Sequence, residues 1–258
     1  MRLGFFRYLL QHFSPVDAIR LLREARRPLQ HDGSILRVIY RGEGRQATLE
    51  LRRGTTDLNV FFEVFYQRVY EMNNAAEPAV VVDLGANIGM ASLWFAGRYP
   101  GVKIFAFEPV PSNAAAARRH LHGNGLSQVS LFEEAAGDFS GTGRISQPVE
   151  GRFGDCTIQT VGANDTVEVT FLDASDLLEK LDLERIDLLK IDVEGAEHVI
   201  FPRLKRDLPR IASIVGEMHG QEQQRHTTLT LLEETHVVRT WPVSPDGCLH
   251  FHAQRREG

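Results

Sequence analysis

The chain has 258 residues, 43% of them apolar and 24% charged, a balance typical of a globular protein with a sizeable core. Its formal net charge is −5, and no stretch approaches about 18 uncharged apolar residues, so the sequence predicts no membrane-spanning segment. The two cysteines, Cys156 and Cys248, lack the spacing of a zinc site, which favours reduced thiols in a cytoplasmic protein.

The first 53 residues are a basic arm on an acidic body. They hold eleven arginines against five acidic residues and so carry +6, which leaves −11 on the rest of the chain. Solvated helix faces are the simpler explanation of this arm, while peripheral contact with a membrane surface or an anionic substrate stays open. The acidic body disfavours a nucleic acid as partner, because phosphates attract basic surfaces.

Residues 1–77 are predicted to form an N-terminal extension. "MRLGFFRYLLQHF" is typical of a helix rather than of a signal peptide, and Ser14 and Pro15 suit the start of a second helix over 15–27. "SILRVIY" and "ATLELR" alternate in hydrophobicity and predict a hairpin. "TTDLNVFFEVFYQRVY" then predicts a helix with one aromatic face.

Residues 78–258 are predicted to form one α/β domain. Short apolar runs rich in β-branched residues alternate with helical patterns, which predicts a mostly parallel sheet with helices on both faces. The runs are "AVVVDLG", "VKIFAFEP", "IDLLKIDVEG", "IASIVGEMHG", "HVVRTW" and "CLHFHAQ", and the helices fall near 88–98, 111–122, 196–206 and 221–233. Residues 141–171 instead indicate a strand-rich excursion with glycine turns.

The turn "VVDLGANIGM" suits the binding of an adenosine cofactor at the carboxyl edge of the sheet. Asp83 ends the strand, and Gly85 permits a tight turn after it. Asn87 tolerates a left-handed conformation, and Gly89 lets the following helix approach the sheet. Glu108 ends the next strand 23 residues after Gly85. This is close to the offset of about 20 residues at which an acid accepts hydrogen bonds from the ribose hydroxyls.

The charge at this turn selects among adenosine cofactors. The glycines read G-x-x-x-G rather than the G-x-G-x-x-G of dinucleotide sites, and Asp83 would repel a pyrophosphate. S-adenosylmethionine carries an ammonium and a sulfonium, which an acid attracts. We therefore expect S-adenosylmethionine as the cofactor and S-adenosylhomocysteine as its product. A nicotinamide oxidoreductase is an alternative that the glycine spacing disfavours.

Five stretches together carry a family resemblance over residues 52–220. They are "RRGTTDLNVFFEVF", "VVDLGANIG", "FAFEP", "LLKIDVEGAEHVIF" and "IVGEMH". This combination resembles the FkbM family of S-adenosylmethionine-dependent methyltransferases. The resemblance implies the class I, Rossmann-like methyltransferase fold, with a seven-stranded sheet whose last strand is antiparallel. It also implies methyl transfer, usually to oxygen, on sugars, glycolipids or polyketide-type metabolites.

Carried over by position, the resemblance implies a set of cofactor-binding residues. These are Asp83, Gly85, Ala86, Asn87, Gly89, Glu108, Ala136, Asp138 and Asp192. The turn residues would line the methionine and ribose side, and "EEAAGDFSG" would meet the adenine through Ala136 and Asp138. "GTTDL" at 54–58 also belongs to the resemblance, so a place in the pocket stays open for it beside simple capping of the next helix.

The acids of "LLKIDVEGAE" are expected at the ligand-binding edge of the sheet. In an extended strand Lys190, Asp192 and Glu194 share one face, and Asp192 is positioned to face the sulfonium or the acceptor. Lys190 is expected to pair with Asp192 and keep it ionised. Glu197 falls in the first turn of the next helix, where an anion is favoured, and is interpreted as a helix-start residue.

An alcohol acceptor must lose its proton during methyl transfer, so a base is expected near these acids. His219 is the first candidate because it lies two residues after Glu217 at the end of a neighbouring strand, and Asp192 and Glu194 are the next. The same acids and His219 are also the residue types that bind a divalent metal, which is possible here but not expected.

The leading hypothesis is an O-methyltransferase that acts on a small-molecule or glycosidic acceptor. A nucleic-acid methyltransferase is an alternative, but the chain lacks the Asn/Asp-Pro-Pro-aromatic string of amino-methylating enzymes. A non-catalytic cofactor-binding partner subunit is a second alternative. The intact set of Asp83, Glu108 and Asp192 argues against such a loss of activity.

Overall fold

In the computed structural model the chain is described at residues 3–43, 45–72, 77–146, 166–242 and 248–256. The N-terminal extension contains the elements expected from its sequence. They are α1 (Leu3–His12), α2 (Pro15–Glu24), the strands β1 (Ile35–Gly42) and β2 (Arg45–Arg52), and α3 (Asp57–Phe61), which continues as a π-helical segment (Phe62–Gln67).

Local chemistry explains two of these elements. The Ser14 side chain accepts a hydrogen bond of 3.1 Å from the backbone N–H of Asp17, and Pro15 occupies the first position of α2, so the predicted start of this helix is confirmed. The hairpin pairs Ile35 with Arg52 and Gly42 with Arg45 in antiparallel register. Its alternation places one face of each strand in the core, as the hydrophobic pattern predicts.

The central sheet has seven strands, which are β3 (Val80–Leu84), β4 (Lys103–Phe107), β5 (Val129–Phe132), β9 (Ile186–Ile191), β10 (Ile211–Met218), β11 (His236–Pro242) and β12 (Leu249–Arg255). Their order across the sheet is β11-β12-β10-β9-β3-β4-β5. Within the described residues, β12 runs antiparallel to both of its neighbours and the other pairings are parallel. The predicted Rossmann-like fold with a reversed last strand is therefore confirmed.

Helices cover both faces of this sheet. They are α4 (Met90–Arg98), α5 (Pro111–Gly123), α6 (Leu177–Lys180), α7 (Glu197–Leu204) and α8 (Glu222–Glu233). One core contains Trp94 of α4 together with Leu9, Leu49 and Phe61 of the extension, so the extension packs on the α4 side of the sheet. None of the described helices combines the length and apolar character needed to cross a lipid bilayer.

A small second sheet lies beyond β5. It contains β6 (Glu134–Gly137), β7 (Gly141–Ser146) and β8 (Thr166–Asp173) in the order β6-β8-β7. The strand-rich excursion predicted between 141 and 171 is confirmed at β7 and β8. Residues 147–165, which include Cys156 and the predicted strand "DCTIQTV", lie outside the described residues.

Candidate active site

Two adjoining cavities lie where the parallel strands of the central sheet end. The Glu108 cavity is lined by Glu108, Asn113, Glu134, Ala136 and Ile145, among others. The His219 cavity, of about 420 Å³, is lined by Glu63, Tyr70, Glu217, His219 and Cys248, among others. Both cavities are also lined by Gly85, Asn87, Asp192 and Glu194, so these four residues mark the junction between them.

The turn after β3 has the backbone that its sequence predicts. Gly85, Asn87 and Gly89 have φ values of 80°, 51° and 81°, so all three lie in the left-handed region. A Cβ atom on Gly85 would lie 1.8 Å from the carbonyl oxygen of Asp192, so only glycine fits between the turn and the end of β9. A Cβ atom on Gly89 would lie 3.3 Å from Ala117, so the start of α4 packs closely against α5.

Glu108 is held at the end of β4 by the backbone around it. One carboxylate oxygen accepts a hydrogen bond of 2.8 Å from the N–H of Asn87, and the other accepts one of 2.9 Å from the N–H of Val110. Burial raises the pKa of Glu108 to about 7, against the lowering effect of these two hydrogen bonds. The carboxylate lines the Glu108 cavity, where a group that accepts hydrogen bonds from the ribose hydroxyls is expected.

Asp83 and Lys190 form a buried ion pair beneath the turn. Lys190 Nζ lies 3.1 Å from an Asp83 oxygen and donates a 2.6 Å hydrogen bond to the carbonyl of Gly85, and Ser92 donates to Asp83 at 2.7 Å. The expectation that Lys190 pairs with Asp192 is therefore wrong, because the neighbouring strand β3 offers a nearer carboxylate. Asp83 is fully buried and is not among the described lining residues of either cavity, so its charge orders the turn through Lys190.

The expected adenine segment is only partly brought to the cavity. Ala136 in β6 lines the Glu108 cavity beside Glu134. Asp138 follows that strand, is exposed, and is not among the described lining residues. Ala86, between Gly85 and Asn87 in the shared turn, lines the His219 cavity instead.

Asp192 and Glu194 lie just beyond the end of β9. The strand ends at Ile191, and Glu194 has a φ of 53°, so the expected strand alternation stops before these acids. The two side chains nevertheless line the same junction. The hydroxyl of Tyr70, from the extension, donates a 2.7 Å hydrogen bond to Asp192.

His219 is surrounded by carboxylates. Its Nδ1 lies 3.0 Å from Glu197, and its Nε2 lies 3.4 Å from Glu194 and 3.5 Å from Glu217. Burial alone would lower the pKa of His219, but its contacts with Cys248 and with the carboxylates raise this pKa to about 12. This high pKa disfavours the neutral form that a base requires, and the role of His219 as the base stays a prediction.

Glu197 begins α7, as the sequence predicts, and it also orients His219. It is fully buried and accepts hydrogen bonds of 3.3 Å from the N–H groups of Val193 and Gly195, which fixes the loop after β9. Its contact with His219 joins residues that are 22 positions apart. Nothing in the local sequence signals that contact.

Three further lining residues were not identified from the sequence: Glu63, Tyr70 and Cys248. Glu63 and Tyr70 come from the aromatic segment of the extension, away from the apolar positions that its helical pattern emphasises. Burial, together with the charges of Glu217 and Asp192, raises the pKa of Glu63 to about 8. Only the packing of the extension against the sheet brings these groups to the cavity.

The "GTTDL" stretch connects the extension to Glu108. Arg52 forms a buried ion pair with Asp57 at 2.7 Å and donates a 2.9 Å hydrogen bond to the side chain of Asn113. The Asn113 amide lies 3.5 Å from Glu108. Thr56 precedes α3 without a side-chain capping bond and lines the His219 cavity. The hydroxyl of Thr55 accepts a 3.2 Å hydrogen bond from the N–H of Asp57, the first residue of α3.

Two groups of side chains are arranged so that they could hold a metal ion. Asp192, Glu194 and His219 form one group, and Glu217, His219 and Cys248 form the other. In each group the ligand atoms lie within 4.8 Å of one another. His219 belongs to both.

Several similar proteins of known name are methyltransferases. The methyltransferase sdnD of Sordaria araneosa is 31% identical over 168 residues, which cover 54% of this chain and 65% of that protein. The 31-O-demethyl-FK506 methyltransferase FkbM of Streptomyces tacrolimicus is 29% identical over 256 residues, covering 81% of this chain and 96% of that protein. The 2-O-methyltransferase NoeI of Sinorhizobium fredii is 26% identical over 220 residues, covering 76% and 86%.

The family itself is identified by a match to the methyltransferase FkbM domain over residues 83–241. This segment covers more than half of the chain. It starts at Asp83 and contains Glu108, Asp192 and His219, the residues around which the two cavities are built. The chain belongs to the FkbM family of S-adenosylmethionine-dependent methyltransferases.

Proposed function

We propose that this methyltransferase transfers the methyl group to a hydroxyl oxygen of a small metabolite or sugar. The observation that carries the proposal is the junction of the two cavities at Asp192 and Glu194. A cofactor in one cavity and an acceptor in the other would meet there. The names of two relatives, the 31-O-demethyl-FK506 methyltransferase and the 2-O-methyltransferase NoeI, support oxygen as the methylated atom.

The Glu108 cavity would hold the adenosine of S-adenosylmethionine. Glu108 would accept the ribose hydroxyls, and Ala136 would lie against the adenine. The turn at 85–89 would carry the methionine part toward Asp192. In this proposal Asp83 acts beneath the turn, and the outward-facing Asp138 has no direct role.

The His219 cavity would hold the acceptor. The hydroxyl oxygen of the acceptor attacks the methyl carbon of the cofactor. The bond from that carbon to sulfur breaks, and the electron pair stays on sulfur. Alignment of the donor and acceptor supplies much of the acceleration, up to about 7–11 kcal/mol in favourable cases. The hydroxyl proton would pass to a carboxylate of the cavity wall, because the raised pKa of His219 disfavours its neutral form.

The charge of the cavity limits the acceptor class. Four carboxylates line it: those of Glu63, Asp192, Glu194 and Glu217. These groups would repel the phosphates of a nucleic acid and suit a neutral, hydroxyl-rich molecule. For that reason nucleic-acid methylation is not proposed.

The proposal is tested by methyl transfer from labelled S-adenosylmethionine to sugar, polyketide and lipid extracts. We expect label in a hydroxyl-bearing small molecule, as a methyl ether that resists mild base. Label on nitrogen, or in nucleic acid, would overturn the proposed acceptor. Calorimetry with S-adenosylhomocysteine provides the cofactor control, and binding of NAD in its place would overturn the cofactor.

A further inference from the structure

The side chains of Asp192, Glu194 and His219 are arranged as a candidate metal site, a role that is separate from proton transfer. The three side chains come from the loop after β9 and from the end of β10, and they meet at the junction of the two cavities. They offer two carboxylate oxygens and one imidazole nitrogen, from which a metal ion would displace the proton. This combination of donors binds divalent ions of the first transition row, such as Mn²⁺ and Zn²⁺.

The orientation of His219 matches that of a metal ligand. Its Nδ1 lies 3.0 Å from the buried carboxylate of Glu197, which turns Nε2 toward the cavity. Metal-binding histidines are commonly held in this way by a carboxylate on the other ring nitrogen. Glu197 is itself fixed by two backbone N–H groups, so the ring has a defined direction before any ligand binds.

The distances also fit a shared ion. Nε2 of His219 lies 3.4 Å from the nearest oxygen of Glu194, longer than a good N–H···O hydrogen bond. Two ligands of one ion, each bonded at about 2.1 Å in tetrahedral geometry, are about 3.4 Å apart. The Asp192 oxygen lies within 4.8 Å of both atoms, so small rotations of its side chain bring the three to one centre.

The cavity has an excess of negative charge that such an ion would offset. Besides its four carboxylates, two ion pairs adjoin it, Lys190 with Asp83 and His219 with Glu197. These groups together carry −4 when all are ionised. Concentrated like charge in a partly buried site is costly, and S-adenosylmethionine supplies a net charge of only about +1.

The second group, Glu217 with His219 and Cys248, is less suitable. Both oxygens of Glu217 already have partners, since His250 lies 2.8 Å from one and the Cys248 thiol lies 3.4 Å from the other. Glu217 and Cys248 line only the His219 cavity, whereas Asp192 and Glu194 line both. An ion at the first group would therefore lie nearer the methyl donor.

We propose that Asp192, Glu194 and Nε2 of His219 bind one divalent transition-metal ion, which holds the oxygen of the acceptor hydroxyl. The role of this ion rests on the proposed function, whereas its binding does not. An oxygen held there would lose its proton to solvent in the cavity, because a metal ion lowers the pKa of a bound hydroxyl. That oxygen then forms the bond to the methyl carbon while the bond to sulfur breaks, and the electron pair remains on sulfur.

Calorimetry of the full chain after chelator treatment tests the site without any acceptor. Titration with Mn²⁺, and separately with Zn²⁺, should show one site per chain. Glu194→Gln should weaken this binding about 10- to 100-fold. Cys248→Ser is the control for the second group, and it should weaken the binding far less than Glu194→Gln does. S-adenosylhomocysteine binding by each variant shows that the fold is intact.

Two results would overturn the metal site. One is the absence of Mn²⁺ and Zn²⁺ binding by a chain that still binds S-adenosylhomocysteine. The other is binding that survives Glu194→Gln but is lost in Cys248→Ser, which would place the ion at the second group. Neither result affects the proposed function, which fails only if methyl transfer to a hydroxyl is absent with and without added metal.

Discussion

Glu108 is buried, although its proposed role in cofactor binding requires a negatively charged carboxylate. Two backbone N–H groups hold its carboxylate, yet burial raises its pKa to about 7. In the proposed role the ionised form accepts hydrogen bonds from the ribose hydroxyls, and the raised pKa means that this charge is lost just below neutral pH. This conflict between desolvation and function is not visible in "FAFEP", because the sequence shows only that an acid ends the strand.

The affinity for S-adenosylhomocysteine should therefore depend on pH through Glu108. Below a pKa of about 7 the carboxyl is protonated in the free protein, so affinity should rise as pH increases from about 6 to 8. Calorimetry across this range measures the effect. Glu108→Gln should bind weakly at every pH and lose the dependence, whereas Glu133→Gln, on the exposed surface, should retain it. A flat profile in the natural chain would contradict the assignment.

Tyr70 should affect turnover more than cofactor affinity. Tyr70→Phe removes the 2.7 Å hydrogen bond to Asp192, and a hydrogen bond to a charged group is worth about 1.5–3 kcal/mol. We expect methyl transfer to fall about 10-fold or more, while S-adenosylhomocysteine still binds because Tyr70 does not line the Glu108 cavity within the described residues. Steady-state kinetics on an identified acceptor would separate the effect on turnover from the effect on cofactor affinity. Equal losses in both would contradict a role confined to Asp192.

At the scale of elements, the turn between β3 and α4 and the loop after β9 fit together at Gly85. Two requirements restrict this position to glycine: a left-handed φ, and close packing against the backbone of Asp192. The sequence predicts the first requirement, since "DLGANIG" is a local signal. The second depends on where the neighbouring strand ends, and only the sheet order places Asp192 there.

Gly85→Ala should be far more damaging than Gly101→Ala. Both glycines have a positive φ, 80° and 85°, so each substitution carries a backbone cost of about 1–3 kcal/mol. Only at Gly85 would the new Cβ collide with backbone, whereas Gly101 has open space around it. Thermal unfolding and S-adenosylhomocysteine binding measure the difference. Similar melting temperatures and affinities for the two variants would contradict the packing argument.

On the scale of the whole molecule, the extension and the central sheet share one hydrophobic core. The extension also supplies Glu63 and Tyr70 to the His219 cavity and, through Arg52 and Asn113, a connection to Glu108. Among the described residues, five of the eleven arginines of the basic arm form ion pairs: Arg20, Arg27, Arg37, Arg52 and Arg53. That pairing favours the solvated-surface interpretation, and the domain boundary at 77/78 stays a prediction.

Removal of residues 1–77 should prevent stable folding. It would expose the apolar side of α4, including Trp94, which is 1% exposed in the full chain. Phe61→Ala is a milder test and should cost about 3–5 kcal/mol, because a fully buried aromatic side chain leaves a cavity. Size-exclusion chromatography and denaturant unfolding measure these effects. A monodisperse fragment of residues 78–258 that binds S-adenosylhomocysteine would contradict the shared-core argument.

The sequence by itself determined the fold class, the hairpin, the order of helices and strands, and the family. These follow from signals that are local in the chain: apolar runs for buried strands, Ser14 with Pro15 for a helix start, and glycines for a turn. It also placed Glu108, Asp192 and Glu194 at strand ends, because parallel strands bring their carboxyl ends to one edge.

Only the tertiary structure decided how the charged groups are paired. Lys190 bonds Asp83 rather than Asp192, Tyr70 reaches Asp192 across 122 positions, and Glu197 holds His219. Such contacts depend on strand order and on the docking of the extension, which leave no local pattern. Because the pKa of His219 depends on these neighbours, only the structure shows that it is raised.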